Sequence, residues 1–306
     1  DYNTAIGYSA LNSTTTGEIN TAVGGLAMET NTTGGSNVAV GYQTLYANTT
    51  GGNNTSVGQG AMVANTTGSE NTSIGLNSLA SNTTADYNTA VGRSSMYANT
   101  TGTLNTAVGG QSMTVATTAD TTTAVGYRSA YSLTTANNNV FIGTYAGYAC
   151  TTGSGNVTIG KDSGAQSAMI NITTESNRLV LGHNSITNAY VKTSIAVTSD
   201  QRDKTDIADI GSDRGISFVN QLRPVSFYYN ESRDNPDVKS GAKRYGFLAQ
   251  EVLALEGSDN VIIDDEFEDC LKYQGEALVP VLVKALQELK TELDAAKARI
   301  ATLEAG

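Results

Sequence analysis

Asn88-Thr89-Ala90-Val91-Gly92, followed by Met96 and then by Asn99-Thr100-Thr101-Gly102, is one unit of a pattern that returns every 17 residues. The motif begins at Asn3 and recurs at Asn20, Asn37, Asn54, Asn71, Asn88, Asn105, Thr122, Asn139 and Asn156, ten copies in one register. Each copy closes on a glycine, from Gly7 to Gly160, and every such glycine follows Val or Ile. Four residues later stands a second apolar position: Leu11, Met28, Leu45, Met62, Leu79, Met96 and Met113, shrinking to Ala130, Gly147 and Gly164 in the last three copies. A fixed period of this length is the mark of a stacked repeat architecture, because one unit cannot bury its own apolar face and its neighbours must do so.

Read locally, each unit is a short strand, a glycine-permitted bend, a second short strand and a polar turn such as Asn65-Thr66-Thr67-Gly68. Stacking in register lines up the Val or Ile column with the Leu or Met column, and the two are expected to form a narrow core along a fibre axis. Two large apolar side chains per unit bring about 1.5 to 3 kcal/mol each, against a conformational cost of about 1 to 2 kcal/mol per residue. A lone chain is therefore expected to be unstable. The small residues Ala5, Ala22, Ala39, Ser56, Ser73 and Ala90 would let a second chain approach, so intertwined or laterally packed chains are expected. The fold class is a mostly β fibrous repeat, a trimeric β-solenoid or β-roll-like shaft over residues 1–165.

Composition divides the chain near 190 to 199. Before Ser199 there are five Lys or Arg, eight Asp or Glu and no proline; after it stand thirteen, twenty-one and all three prolines, Pro224, Pro236 and Pro280. The spacing of the repeat glycines lengthens after Gly160, with the next comparable one at Gly182, and 166–198 reads as a neck. Residues 199–306 have ordinary globular composition. A net charge of −11 with one histidine, His183, argues against a nucleic-acid partner, which needs clustered Lys and Arg. No apolar run reaches membrane-spanning length, and no charged segment leads an apolar one. Cys150 and Cys270 lie in different halves without metal-ligand spacing, so neither a disulfide framework nor a metal or other cofactor is indicated. Asp1-Tyr2-Asn3-Thr4-Ala5 recurs in phase as Asp86-Tyr87-Asn88-Thr89-Ala90, and the natural chain is expected to start earlier.

Near the C-terminus, Leu282, Leu286, Leu289, Leu293, Ala296, Ile300 and Leu303 step by fours and threes. This is a heptad seam, and a coiled coil is expected over about 278–304; an amphipathic helix packed on its own domain is the alternative. The phrase Asn-Thr-Ala-Val-Gly with its following Ala-Leu resembles the head repeats of trimeric adhesins and the shafts of phage tail fibres. Four ordered stretches beyond it resemble the intramolecular chaperone domain of phage endosialidases and related tail spikes, a self-cleaving family of the peptidase S74 type. They are Ser199-Asp200-Gln201-Arg202-Asp203-Lys204 with Thr205-Asp206-Ile207, Leu222-Arg223-Pro224-Val225-Ser226-Phe227, Tyr245-Gly246-Phe247-Leu248-Ala249-Gln250-Glu251-Val252, and Leu278-Val279-Pro280.

The resemblance implies an α+β chaperone domain, a homotrimer, and cleavage just before the serine, between Thr198 and Ser199. Ser199 would be the nucleophile and Lys204 its base, with Asp200 and Arg202 in support. Residues five apart share neither a helix face nor a strand face, so a turn or a neighbouring chain must bring the pair together. From residue types alone, the same run reads as a solvated charged segment. Gln250 and Glu251 are expected to make structural or interchain contacts, and His183 to lie on the neck surface. The function that follows is a phage-type, host-recognition tail-fibre segment, assembled in the host cytoplasm and carried on the virion. Its partners would be other tail proteins and a host receptor or glycan. The alternatives are a bacterial trimeric surface adhesin, an ice-binding solenoid built on the threonine column of Thr4, Thr21, Thr55, Thr72, Thr89 and Thr106, and a glycan-degrading spike, for which the repeats carry too few carboxylates.

Overall fold

A computed structural model describes residues 2–165, 171–183, 186, 199, 201–232, 235–258, 260–265 and 271–305. They fall into two units, Asp1–Ile186 and Thr187–Gly306. The first is a parallel β-solenoid. Its eleven three-residue strands, β1 to β11, run from Thr4–Ile6, Thr21–Val23 and Val38–Val40 to Val140–Ile142, Val157–Ile159 and Leu179–Leu181, and form one sheet in sequence order. Each strand pairs with the same residues one repeat on, Thr89 with Thr106 and Val91 with Val108. Leu179–Leu181 pairs with Val157–Ile159 by the same rule across a 22-residue step. The solenoid thus runs into 171–182, part of the stretch expected to be neck, because the longer interval is a longer coil and not a break in the ladder.

The glycine that closes each strand is obligatory. Gly41 has φ +138°, and a Cβ there would lie 2.7 Å from the Gly58 carbonyl of the next coil. Only a residue without a side chain lets adjacent backbones come this close in that conformation.

Two expectations about the coil are overturned. Among the described residues the coils have no second strand: Met28, Leu45, Met62, Met96 and Met113 lie in turns with φ of 49° to 53°. These left-handed turns persist because their amides still pair with the next coil, Leu45 N donating to the Ala61 carbonyl at 3.0 Å and Met62 N to the Ser78 carbonyl at 3.0 Å. The column inside the strand is also not the Val or Ile one. Ala22, Ala39, Ser56, Ser73, Ala90, Ala107 and Ala124 are fully buried, whereas Val40, Ile74, Ile142 and Ile159 are exposed. A three-residue strand turns one face inward with its middle residue only. The coil is so narrow that the space opposite the Met or Leu column admits little more than a methyl or hydroxyl group. Ser56 and Ser73 satisfy that hydroxyl on the Ala61 and Ser78 carbonyls, at 3.1 and 2.9 Å. The Leu and Met column is buried as expected.

Where that column fades, the core swaps sizes across the coil. Phe141 replaces the inner alanine and Gly147 replaces the methionine; a Cβ at Gly147 would collide with the Phe141 ring.

Much of the remaining interior is asparagine. The motif asparagines form one ladder, in which Asn54 N donates to Asn37 Oδ1 at 2.9 Å and Asn54 Nδ2 to the Gly68 carbonyl at 2.8 Å. The asparagines of the Asn-Thr-Thr turn form a second, with Asn48 bonded to Asn31, Asn65 to Asn48, Asn82 to Asn65 and Asn99 to Asn82 at 2.8 to 3.1 Å. The second ladder ends at Asn99 because Ala116, Leu133, Cys150 and Ile172 continue its position, all buried. Asn99 Oδ1 is accordingly a buried acceptor without a hydrogen-bond partner among the described residues. Cys150 Sγ donates to the Gly153 carbonyl at 3.5 Å, and burial pushes its thiol up to about 11. Cys270 lies outside the described residues.

The second unit begins its described part with two short 3-10 turns, Gln201–Asp203 and Ser212–Arg214. A short helix α1 (Ile216–Val219), an antiparallel hairpin β12 (Val225–Ser232) and β13 (Asn235–Gly246), and helix α2 (Ala249–Glu256) follow. The two-residue strands β14 (Ile263–Asp264) and β15 (Lys272–Tyr273) then pair antiparallel ahead of the 30-residue helix α3 (Gly275–Glu304). The core is small: Phe218, Val252, Ile262, Ile263, Leu278 and Val281.

Candidate functional site

The chemistry-bearing motifs all lie in the second unit. The 3-10 turn Gln201–Asp203 reverses the chain between Ser199 and Lys204, with Lys204 N donating to the Gln201 carbonyl at 3.2 Å. A turn is one of the two arrangements that the spacing left open, the other being a neighbouring chain. This turn brings Lys204 Nζ to 2.7 Å from Ser199 Oγ, the ammonium donating to the hydroxyl. At the same separation a deprotonated amine would accept the hydroxyl proton, the relation a nucleophile and its base need. Both residues are exposed in the single chain, as is Arg202 on the turn. Thr198 and Asp200 lie outside the described residues.

The second and third motifs meet each other. Arg223 grips Glu251 with a bidentate pair, Nε to Oε2 at 3.0 Å and Nη2 to Oε1. The hydrogen bond from Arg223 holds the Glu251 carboxyl below the usual carboxylate range and lifts Arg223 above its own. Glu251 thus makes an intrachain structural contact. Leu222, Phe247 and Ala249 from these motifs pack on the core, and Leu278 of the fourth is inside it. Pro280 falls within α3, which starts at Gly275.

Two acids that the sequence reading passed over hold the unit together. Glu256, buried at the end of α2, accepts the amides of Val261, Ile262 and Ile263 at 2.8 to 2.9 Å, pinning the loop that returns the chain to β14. Glu288 on α3 accepts the amide of Ile216 at 2.9 Å and lies so close to Gly215 that any side chain there would strike it. The only sequence signal for Glu256 is an acid ending an apolar helix just before a glycine.

Leu278, Val281, Ala285 and Glu288 therefore form the face of α3 turned to its own domain. The predicted seam is the other face: Leu282, Leu286, Leu289, Leu293, Ile300 and Leu303 are exposed, Leu286 by 65% and Leu303 by 79%. The helix expected at the end of the chain is there, and its seam has no intrachain cover among the described residues. Pairing of this seam into a coiled coil is an expectation about the assembled protein.

No helix among the described residues is long and apolar enough to cross a membrane. Comparison with curated proteins and with solved structures finds no significant match. Residues 199–261, beginning at Ser199 itself and taking in the first three motifs, match the family described as chaperone of endosialidase, so the unit after the solenoid carries a chaperone of endosialidase domain, and this order of shaft and chaperone fits a tail-fibre segment.

Proposed function

We propose that the chain is part of a host-recognition tail fibre whose C-terminal domain assembles three copies and then cuts itself away between Thr198 and Ser199. The observation that carries this reading is the 2.7 Å contact between Lys204 Nζ and Ser199 Oγ at the first residue of the family match. Ser199 Oγ attacks the Thr198 carbonyl carbon, its proton passing to Lys204 and then to the departing amine. The peptide C–N bond breaks, an ester joins Thr198 to Ser199, and water hydrolyses it to leave a fragment beginning at Ser199. A lysine serves as base only without its ammonium proton, which calls for desolvation. Lys204 is exposed in one chain. Packing of neighbouring chains over it would supply the desolvation, so cutting would follow assembly, and loss of the chaperone would leave the fibre held by a kinetic barrier.

The test is a denaturing gel with N-terminal sequencing. Wild type should give fragments 1–198 and 199–306, and Ser199→Ala and Lys204→Ala should each stay whole while still assembling. A Ser199→Ala chain cut at the same bond, or a wild-type trimer that never cuts, would defeat the mechanism. The trimer and the exposed α3 seam suit a bacterial surface adhesin as well; the chaperone match favours the fibre.

One observation supports a second reading. The threonine column turns outward, with Thr21, Thr55, Thr72, Thr89 and Thr106 half-exposed at one register position of the parallel ladder, as an ice-binding face would need. Val38, Val140 and Val157 interrupt the column. Thermal hysteresis by the uncut chain would decide for this reading.

A further inference from the structure

At the eighth and ninth coils, the corner after the closing glycine gathers aromatic rings. Tyr131 and Tyr148, one repeat apart, stack with centroids 5.3 Å apart and planes 12° from parallel. Tyr145 meets Tyr148 edge-on at 5.5 Å and Tyr127 edge-on at 5.6 Å. The Arg128 guanidinium lies 5.4 Å from the Tyr127 ring centre and 5.3 Å from that of Tyr131. Its Nε donates to Gln111 Oε1 at 2.7 Å, and the Tyr127 hydroxyl lies 3.4 Å from the same oxygen. All four rings keep part of their surface open, Tyr127 by 44%. Tyr42 and Tyr97 at corresponding corners of other coils make no ring pair among the described residues.

We propose that this corner is a carbohydrate-binding patch, in which Tyr127, Tyr131, Tyr145 and Tyr148, with Arg128 and Gln111, hold pyranose rings of a neutral glycan. A pyranose presents an apolar C–H face with hydroxyls around its rim. The patch offers the complement: open π faces beside phenol hydroxyls, an amide, and a guanidinium with more N–H donors than its one bond to Gln111 uses. The rings hold one another, and Gln111 and two rings fix Arg128, so little ordering remains for a ligand to impose. Area decides against a protein partner. Four part-buried tyrosines and one arginine cannot supply the roughly 800 Å² per side of a stable protein interface, whereas they suffice for a few sugar rings. A nucleic acid would bring its phosphates to a chain of net charge −11.

The inference deepens the tail-fibre reading by naming what the shaft would recognise, and it is independent of cleavage. Uncut full-length Ser199→Ala chain and wild type should be applied to a printed array of bacterial surface glycans, with light scattering and circular dichroism on each preparation. Both should bind the same neutral glycan, and Tyr148→Ala and Arg128→Ala should each weaken it by about tenfold. Tyr97→Ala, a lone tyrosine on the same corner, should leave it unchanged. Absence of binding to any glycan on the array, or binding that survives Tyr148→Ala, would overturn the proposal. So would a fall in oligomer mass in Tyr148→Ala, which would make the patch an interchain contact. A wild-type chain that binds but never cuts would sink the cleavage mechanism alone.

Discussion

The solenoid and the C-terminal domain bury themselves by different means. Each coil of the solenoid is completed along the axis by the next coil, so its interior can afford asparagines: Asn48, Asn65 and Asn82 are wholly buried and each is bonded to the copy one repeat away. The terminal domain has a compact apolar centre around Phe218, Val252 and Ile263 and a long leucine stripe on α3 that nothing among the described residues covers. One region finishes itself by repetition. The other presents a surface suited to a second copy, as the assembly role proposed for it requires.

The largest expected effect separates the two faces of a shaft strand. Ala90→Asp would place a carboxylate at a fully buried position with no partner, at a cost of several kcal/mol. Val91→Asp, on the half-exposed column beside it, should cost less than about 1 kcal/mol in a free shaft. Melting curves of both variants read the difference. If Val91→Asp proves as damaging as Ala90→Asp, the outer column is covered by another chain, and the lateral packing expected from the sequence is restored in a new place.

On the terminal domain the corresponding comparison is between the two faces of α3. Leu286→Glu with Leu289→Glu should abolish association and leave the helix content of the chain unchanged, whereas Val281→Glu should unfold the domain around it. Light scattering and circular dichroism distinguish the two, and a double variant that still associates would remove the seam from the assembly.

The sequence disclosed the shaft through its period. A fixed 17-residue interval forces each coil to repeat its neighbour, so register, glycine bend and the Leu or Met column could all be read before any coordinates. The parity of a strand of only three residues could not. Hydrophobicity favoured Val91 over Ala90 for the interior, and side-chain volume in a narrow coil reversed the choice. The asparagines of Asn-Thr-Thr-Gly were read as turn residues because asparagine is common in turns; that they ladder inside the coil depends on contacts one repeat away. At the candidate site, Ser199 and Lys204 were legible only through the motif resemblance, and the turn between them had to be seen. The partner of Glu251 lies 28 residues upstream, and no periodicity links them.

Within the shaft, the asparagine ladder predicts an ordered series. Asn65→Ala deletes its bonds to Asn48 and Gly68, takes the donor from the buried Asn48 Oδ1 and leaves Asn82 Nδ2 with the Ala85 carbonyl alone, which should cost about 1 to 3 kcal/mol. Asn65→Leu should cost less, since Leu133 fills the same place in a later coil and adds apolar contact. Equal melting temperatures for Asn65→Ala and wild type would show that the ladder contributes nothing net.

Cys150 gives an alkaline counterpart. Its thiol, raised by burial from 9.0 to about 11, stays protonated in the fold while the unfolded thiol ionises. The unfolded state then binds fewer protons, so stability is lost as pH rises between those values, by roughly 2 to 3 kcal/mol at the upper end. Cys150→Ala should remove that part of the slope. An identical alkaline profile in the variant would mean that the thiol is not sealed in the native shaft.

The smallest expected effect lies in the terminal domain and has the opposite sign in pH. Arg223 holds the Glu251 carboxyl below its ordinary range, so the unfolded state takes up a proton first as the solution is acidified. The pair's contribution is fully present above the carboxyl's unfolded value, near pH 4.3, and is lost as pH falls through the lower folded value. Because both side chains lie at the surface, with 60% and 41% of each exposed, water and salt screen most of it. Glu251→Gln should therefore shift the acid side of the domain's unfolding curve slightly and leave its neutral stability nearly unchanged, with the difference shrinking further in high salt. Arg223→Lys is the sharper probe, because a lysine keeps the charge and loses the two-pronged geometry. If the pair sets the angle between the hairpin and α2, Arg223→Lys should match Glu251→Gln in the acid curve. If charge alone matters, it should match wild type.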